Sequence, residues 1–253
     1  MPSSGPRTLH ASRAFLVRAT DMGEADRRIT LFSESDGTVS LLGRSARKSR
    51  KRFGGVLQRY FLLDISWSSL PERMPVLEQA VLVASFWEIV EDWEKVRYAD
   101  YLLELAVNLF PQPGPKPKAF EALYAGMRAL ALGDAPRAVA ARTEAAMLAI
   151  AGWGPNLEGC RVCGSREQAR FRFLLSEGSL ACSGCSDRPG TVLSLGAVKS
   201  WRALQSSSPS VLGRIRLGES ILAELQDVIP KYVEYCIGKQ MRSLAPGESP
   251  SNR

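Results

Sequence analysis

Four of the five cysteines fall into two pairs of equal internal spacing, Cys160-x2-Cys163 and Cys182-x2-Cys185, with 18 residues between the pairs. Thiolates suit a borderline-soft ion such as Zn2+, and two tight turns that each deliver two sulfurs close a tetrahedron around it. Gly164 and Gly184 stand beside or inside those turns, where a missing Cβ permits a tight backbone path past a metal. Residues 171–175, Glu177-Gly178 and Leu180 predict a small hairpin that carries the second pair. Four thiolates leave no open coordination position, and the lone histidine, His10, is remote in sequence. The expectation is one structural zinc ion per chain, held by Cys160, Cys163, Cys182 and Cys185, with no part in chemistry. A redox Cys-x-x-Cys belongs with a βαβ pattern, which is absent. The symmetric spacing suits a zinc ribbon or knuckle better than an iron–sulfur cluster. Cys236 sits in an apolar helical context and reads as an inert core residue, and His10 as an exposed residue near the terminus.

The second constellation is electrostatic. The net charge is +7, and residues 1–60 supply all of it, with 12 Lys and Arg against 5 Asp and Glu. Within that quarter, Arg44, Arg47, Lys48, Arg50, Lys51 and Arg52 put six cations into nine residues with no carboxylate among them. A basic excess so confined points to a polyanion. Gly43 and Gly54-Gly55 flank the run, so it can present as a loop. Phe53, Tyr60, Phe61 and Trp67 follow, which supplies the other half of a single-strand site, since bases stack on aromatic rings while cations neutralise phosphates. Alternation along a strand sends half of those aromatics into a core.

No catalytic constellation competes. The Gly-x4-Gly-Lys-Ser/Thr phosphate loop and the Gly-x-Gly-x-x-Gly fingerprint are both absent. A single histidine leaves a Ser-His-Asp arrangement without a base. Glu24 and Asp26 read as polar residues orienting a barrel turn. The expectation is a protein that is not an enzyme. The chain holds no apolar run near the roughly 20 residues that span a bilayer, and residues 1–12 lack the apolar stretch of a signal peptide. A cytoplasmic, nucleoid-associated location follows as an expectation, which also keeps the thiols reduced.

The elements that must position these groups divide into two classes. Residues 14–18, 29–32, 38–42 and 57–67 read as strands, with Asp36-Gly37 as a hairpin turn. Several short strands with little helix between them suggest a small antiparallel barrel or sandwich. Beyond about residue 90 the period becomes helical. Tyr98, Tyr101, Leu102, Leu105 and Leu109 share one face, as do Phe120, Leu123, Tyr124, Met127 and Leu130. Residues 110–118 hold four prolines and break the chain. Asp134 is placed to cap a third helix through Ile150, with Val139, Thr143, Met147 and Ile150 along one side. After the cysteine segment, residues 195–204 and 218–244 look helical, and Pro230 should kink the last stretch. The fold class is α+β: a β-barrel domain over 1–83, an all-helical domain over 84–253 with a zinc-finger insertion at about 155–190, and a disordered tail over 245–253.

Gly23-Glu24-Ala25-Asp26, then an apolar strand, Gly37, Ala46-Arg47-Lys48-Ser49, Arg52-Phe53-Gly54 and Leu57-Gln58 together resemble the amino-terminal signature of the bacterial RecO family. Gly152, Pro155, Leu157, Cys160, Cys163 and Gly164 resemble the entry to that family's zinc segment, and Arg242-Ser243-Leu244 its closing helix. The resemblance runs from about residue 8 to 245. It implies an amino-terminal OB-fold and a helical domain with a treble-clef-like zinc finger. It also implies a role in DNA repair and recombination: binding single- and double-stranded DNA, annealing complementary strands, and acting with RecR to load RecA onto strands coated by single-strand-binding protein (SSB). The family contacts the acidic, hydrophobic-ended SSB tail through its helical domain. Such a tail needs an apolar pocket rimmed with cations, for which Arg128, Arg137 and Arg142 are candidates. The rival readings are a zinc-ribbon RNA-binding or transcription-associated module, and an enzyme acting on nucleic acid with zinc as scaffold.

Overall fold

A computed structural model describes residues 6–47, 53, 55–185 and 187–243. It begins with five strands: β1 (Thr8–Met22), β2 (Asp26–Ser33), β3 (Gly37–Gly43), β4 (Phe61–Ser69) and β5 (Val76–Ser85). They close a barrel in the order β1-β2-β3-β5-β4, the small Greek-key barrel of an OB-fold. Closure is thin at one seam, where β3 meets β5 in parallel through the single pair Leu42–Val76. The sequence reading did not isolate β5. Its Val81-Leu82-Val83 run does not alternate, because a bulge opposite Leu62 and Leu63 interrupts its ladder with β4.

Alternation sends the strand side chains into two different cores. Ala14 and Leu16 of β1, Ile29 and Leu31 of β2, Leu41 of β3, and Leu63, Ile65 and Trp67 of β4 fill the barrel. Phe15, Phe32 and Leu62 point the other way and join the core of the helical half, where Phe15 lies against Phe86 and Phe120, and Phe32 against Phe110. Polar contacts lock the same junction. The Tyr60 hydroxyl donates to Asp100 at 2.7 Å, and Arg59 pairs with the same carboxylate. The β2–β3 turn docks on the proline-rich break, with Gly114 N–H donating to Asp36 O and Lys116 N–H to Glu34 O. Gly37, at φ +65°, has no room for a side chain there, since a Cβ would lie 3.2 Å from Gly114 O.

The helical half comprises α1 (Trp93–Leu109), α2 (Pro117–Ala131), α3 (Pro136–Ile150), α4 (Leu195–Ser206) and α5 (Glu219–Ile237). The expected apolar faces of α1 and α2 are buried. For α3 the sequence read one apolar side, yet ten consecutive residues, Val139 to Leu148, are buried. Four alanines among them let α1, α2, α4 and α5 all pack around this helix. Asp134 does not cap it: the N-cap is Ala135, and Asp134 instead pairs at 2.7 Å with Arg142, which is 4% exposed. Arg142 also donates to the Gly213 and Ile215 carbonyls, so its charge is satisfied internally. Pro230 lies inside α5, which continues through it to Ile237. The expected tail, 245–253, lies outside the described residues.

Glu144 is the other ionisable group in this helix, 2% exposed and accepting from the Tyr101 hydroxyl. Burial pushes its carboxyl up to about 7, and the tyrosine hydrogen bond offsets only part of that rise. A carboxyl raised in the folded state costs stability as pH climbs from the unfolded pKa through the folded one. The Glu144→Gln variant should therefore melt near the parent at pH 5 and progressively above it by pH 8, a difference on the order of 3 kcal/mol at most. Thermal denaturation across that pH range checks this, and a constant difference would refute it.

Candidate metal centre and nucleic-acid interface

Between α3 and α4 the chain forms a four-stranded sheet in the order β6-β8-β7-β9, from β6 (Asn156–Cys160), β7 (Arg170–Leu174), β8 (Ser179–Ala181) and β9 (Thr191–Ser194). The expected hairpin is β7–β8. The parallel pairing of β6 with β8 sets Cys160 beside Leu180, so the turns that follow the two strands lie together. Gly164, at φ +73°, closes the first turn by donating to Cys160 O at 2.8 Å.

The four sulfurs of Cys160, Cys163, Cys182 and Cys185 all lie within 4.8 Å of one another. Cys163 Sγ and Cys182 Sγ are 3.8 Å apart, the edge of a tetrahedron whose metal–sulfur bonds are about 2.3 Å. Burial opposes ionisation of Cys160, but backbone N–H groups of Cys163, Cys182 and Val162 turned toward its sulfur hold the thiol below its ordinary value. Cys185, sharing hydrogen bonds with Cys182 and Cys163, is pushed up. A cluster of sulfurs competing for few protons is the arrangement a cation stabilises, because binding removes the protons outright. The donor set fits a closed four-thiolate site. Cys236 is half-buried against the helical core, as a structural cysteine should be.

The six cations of the basic run divide. Lys48, Arg50, Lys51 and Arg52 lie outside the described residues. Arg44 and Arg47 leave the end of β3 and are exposed. Their loop is tied to the β1–β2 turn, with Ser45 N–H donating to Asp26 Oδ1 at 2.8 Å and Arg47 N–H to Ala25 O at 3.1 Å. Asp26 thus orients a barrel turn, as its type suggested. At the exit, a Cβ on Gly43 would fall 2.5 Å from Ile29 Cδ1, so a larger residue there would push that core side chain aside. Asp21 accepts from Arg27 at 2.8 Å and is ion-paired with Arg47 at 3.5 Å, so one carboxylate is shared by two cations.

Not all the amino-terminal surplus is available. Arg7 pairs with Glu78, Arg13 with Glu34, and Arg59 with Asp100 of the helical half. The sequence reading instead missed Arg18 and Arg28. The register Arg18–Thr30–Ser40 and Thr20–Arg28–Leu42 across β1, β2 and β3 puts both arginines on the outer barrel face. Arg28 Nε donates to Ser40 Oγ at 3.2 Å. Their signal was present in the alternation of Arg28 and Thr30 with Ile29 and Leu31, but two isolated arginines do not stand out until register joins them.

The aromatic expectation fails. Phe53, Tyr60 and Trp67 are all buried, and Phe61 is half-buried against the barrel core. His10 is not a free terminal residue either: it stacks on Trp67 at 5.0 Å and pairs with Ser69. Beyond Phe15 and Phe32, which the helical half covers, the outer face of β1–β3 therefore carries Arg18, Thr20, Arg28, Thr30 and Ser40 together with Met22 and Leu42, and no exposed aromatic among the described residues.

On the helical side, the proline-rich break and the ends of α1, α2 and α3 line an open cleft of about 480 Å3, whose lining includes Phe110, Pro111, Pro115, Lys116, Lys118 and Ile150. Arg142 is not a rim residue, and Arg137 pairs with Glu94.

Profiles for two halves of one family match most of this chain: "Recombination protein O N terminal" over residues 8–86 and "Recombination protein O C terminal" over residues 90–245. The chain belongs to the RecO family. Relatives named DNA repair protein RecO include one from Anaeromyxobacter sp. (strain K), 32% identical over 234 residues, which cover 89% of this chain and 91% of the relative. One from Syntrophus aciditrophicus (strain SB) is 24% identical over 94% of this chain and 95% of its own length. One from Roseiflexus sp. (strain RS-1) is 28% identical over 94% and 84%. The RecO profiles divide at the short segment between β5 and α1, where the barrel gives way to helices. Among the described residues, no helix is long and apolar enough to cross a membrane.

Replacing Cys160 and Cys182, the two buried sulfurs, by serine should abolish binding of one metal equivalent and expose residues 156–194 to protease. Elemental analysis and limited proteolysis read the two effects, and full metal content in the double variant would exclude the cluster.

Proposed function

We propose that this chain is a DNA-binding recombination mediator in DNA repair, with the barrel domain (1–83) holding DNA and the helical domain (84–253) contacting protein partners. The observation that carries this reading is the outer face of β1–β3. Arg18 and Arg28 lie there among small hydroxyl side chains, and the face runs on into the loop of Arg44 and Arg47. The remaining proposed contacts, Lys48, Arg50, Lys51 and Arg52, follow in the same loop by sequence. The ion is proposed to be Zn2+, acting as scaffold only.

The missing aromatics bear on mechanism. A stacking platform holds bases against the protein and removes them from pairing. A face of arginines and hydroxyls instead grips phosphates and leaves the bases outward. Such a surface screens the repulsion between two backbones and keeps complementary strands close, and duplex pairing then supplies the free energy for annealing without ATP. The same indifference to bases accounts for binding single and double strands alike.

The cleft beside Lys116 and Lys118 has the chemistry for the acidic, hydrophobic-ended tail of SSB: an apolar floor for the terminal side chain and cations for the acidic residues and the terminal carboxylate. The β2–β3 turn, which ends the strand that carries Arg28, packs on this same break. Arg28 to Ser33 spans about 17 Å of strand. A tail in the cleft and a strand on the barrel would therefore be neighbours. Together with RecR, this proximity would let the protein open SSB-coated DNA for RecA.

Two measurements test this. If four to six cations contact a single strand, log K should fall with log salt at a slope of about −3 to −4. Substituting Arg44, Arg47, Lys48, Arg50, Lys51 and Arg52 by glutamine should flatten it, and an unchanged slope would remove the loop from the site. Separately, Lys116→Glu with Lys118→Glu should cost about tenfold or more in affinity for full-length SSB. The variant should bind tail-less SSB no differently from the parent, and retained tail-dependent affinity would move the tail elsewhere.

A further inference from the structure

The charge surplus of this chain has a counterpart of opposite character at the junction of its two halves. Between Val81 and Trp93, six large apolar side chains are each between 40% and 55% exposed: Val81, Leu82, Val83, Trp87, Val90 and Trp93. They sit on the end of β5, on a short 3-10 turn (Trp87–Ile89), on Val90 just after it and on the first residue of α1. Scattered apolar residues on a surface need no explanation, but a run of six in thirteen positions, two of them tryptophan, does.

The fold gives a reason for their exposure. Phe86 and Ile89 are the buried anchors of the segment, and Phe86 is wedged between Phe15 and Tyr124. With those two fixed inward, Trp87 and Val90 are turned outward. Asp92 caps α1 through the Glu94 and Lys95 amides, which leaves Trp93 at the first helical position, facing solvent. The neighbouring β5 has ladder partners along its length only on the β4 side, since its contact with β3 is the one pair at Val76. Beyond that pair it offers an open strand edge among the described residues, the surface to which an extended segment adds.

The charge around the patch chooses the occupant. Glu88, Glu91, Asp92 and Glu94 are all exposed, and the first cation downstream is Lys95. Glu94 has Arg137 beside it at 3.6 Å and Asp92 is engaged in the cap. Glu88 and Glu91 have no side-chain partner among the described residues. A nucleic acid is repelled by such a rim, and an anionic lipid surface equally so. Tryptophan faces favour cations, arginine above all, and aliphatic side chains cover the remainder.

From this we infer that residues 81–94 form a docking surface for an extended protein segment in which Arg or Lys alternates with aliphatic residues. The segment lies along the free edge of β5 and ends over Trp87 and Trp93. This surface shares no residue with the arginine face of the barrel or with the lining of the cleft, and it rests on neither reading.

The test uses the full chain and a short labelled peptide of alternating valine and arginine, with its valine–glutamate counterpart as control, followed by fluorescence anisotropy. The basic peptide should bind and the acidic one should not. Affinity should fall about tenfold or more in Trp87→Ser with Trp93→Ser, and equally in Glu88→Lys with Glu91→Lys. The variant Trp153→Ser, which removes an exposed tryptophan outside the patch, should leave it unchanged. Oligonucleotide affinity should be unaltered by the tryptophan pair, and an unchanged melting temperature confirms folding. Equal binding of the acidic peptide, or full affinity in the charge-reversed variant, overturns the proposal. So does loss of DNA binding in the tryptophan variant, which would make the patch part of the nucleic-acid site.

Discussion

The arrangement of this molecule depends on strands that serve two cores at once. Ala14 and Leu16 face the barrel while Phe15, between them, reaches into the helices, and β2 and β4 repeat the pattern with Phe32 and Leu62. A two-residue period forces the choice: any side chain that does not fill the barrel must be covered or exposed. The helical half covers one end of the outer surface. What remains exposed on β1–β3 includes the arginine and hydroxyl face. The interface that joins the halves thus also delimits the face proposed for DNA.

Around that junction the polar groups are used economically. Arg13 is spent on Glu34 and lies over the Phe120 ring, while Arg59 and Tyr60 converge on Asp100. These contacts withdraw cations from the barrel's outer charge and commit them to orientation. Inside the helical half, Arg142 does the same with Asp134 and two backbone carbonyls, closing the loop before α3 onto the turn after α4. Buried charges with complete hydrogen bonding specify geometry more than they add stability. Glu144, lacking a cation, titrates instead.

The metal module is a separate solution to a local problem. Four short strands and a pair of turns bury only a small apolar set, chiefly Leu157, Phe171, Phe173, Leu174, Leu180 and Leu193. A sheet of this size is marginal by itself, and a metal held by the four sulfurs would compensate for the small core. The module also leans on Trp201 and Tyr232 through Phe173, which ties its orientation to α4 and α5.

The sequence by itself determined the four cysteines that come together as a possible metal site, the segregation of strands from helices, the faces of α1 and α2, and the location of excess positive charge. Those features are local: a spacing of two residues, a period of 3.6 or 2, a run of one charge. It did not determine which aromatics were free, because burial of Phe53, Tyr60 and Trp67 depends on what closes over them. It could not find Arg18 and Arg28 as a pair, since cross-strand register alone brings them together. Nor could it read α3 as buried all round, as a helix surrounded by four others has no polar face to set the period. Tertiary structure decided these points, for the reason that each is a relation between residues distant in sequence and carries no local signature.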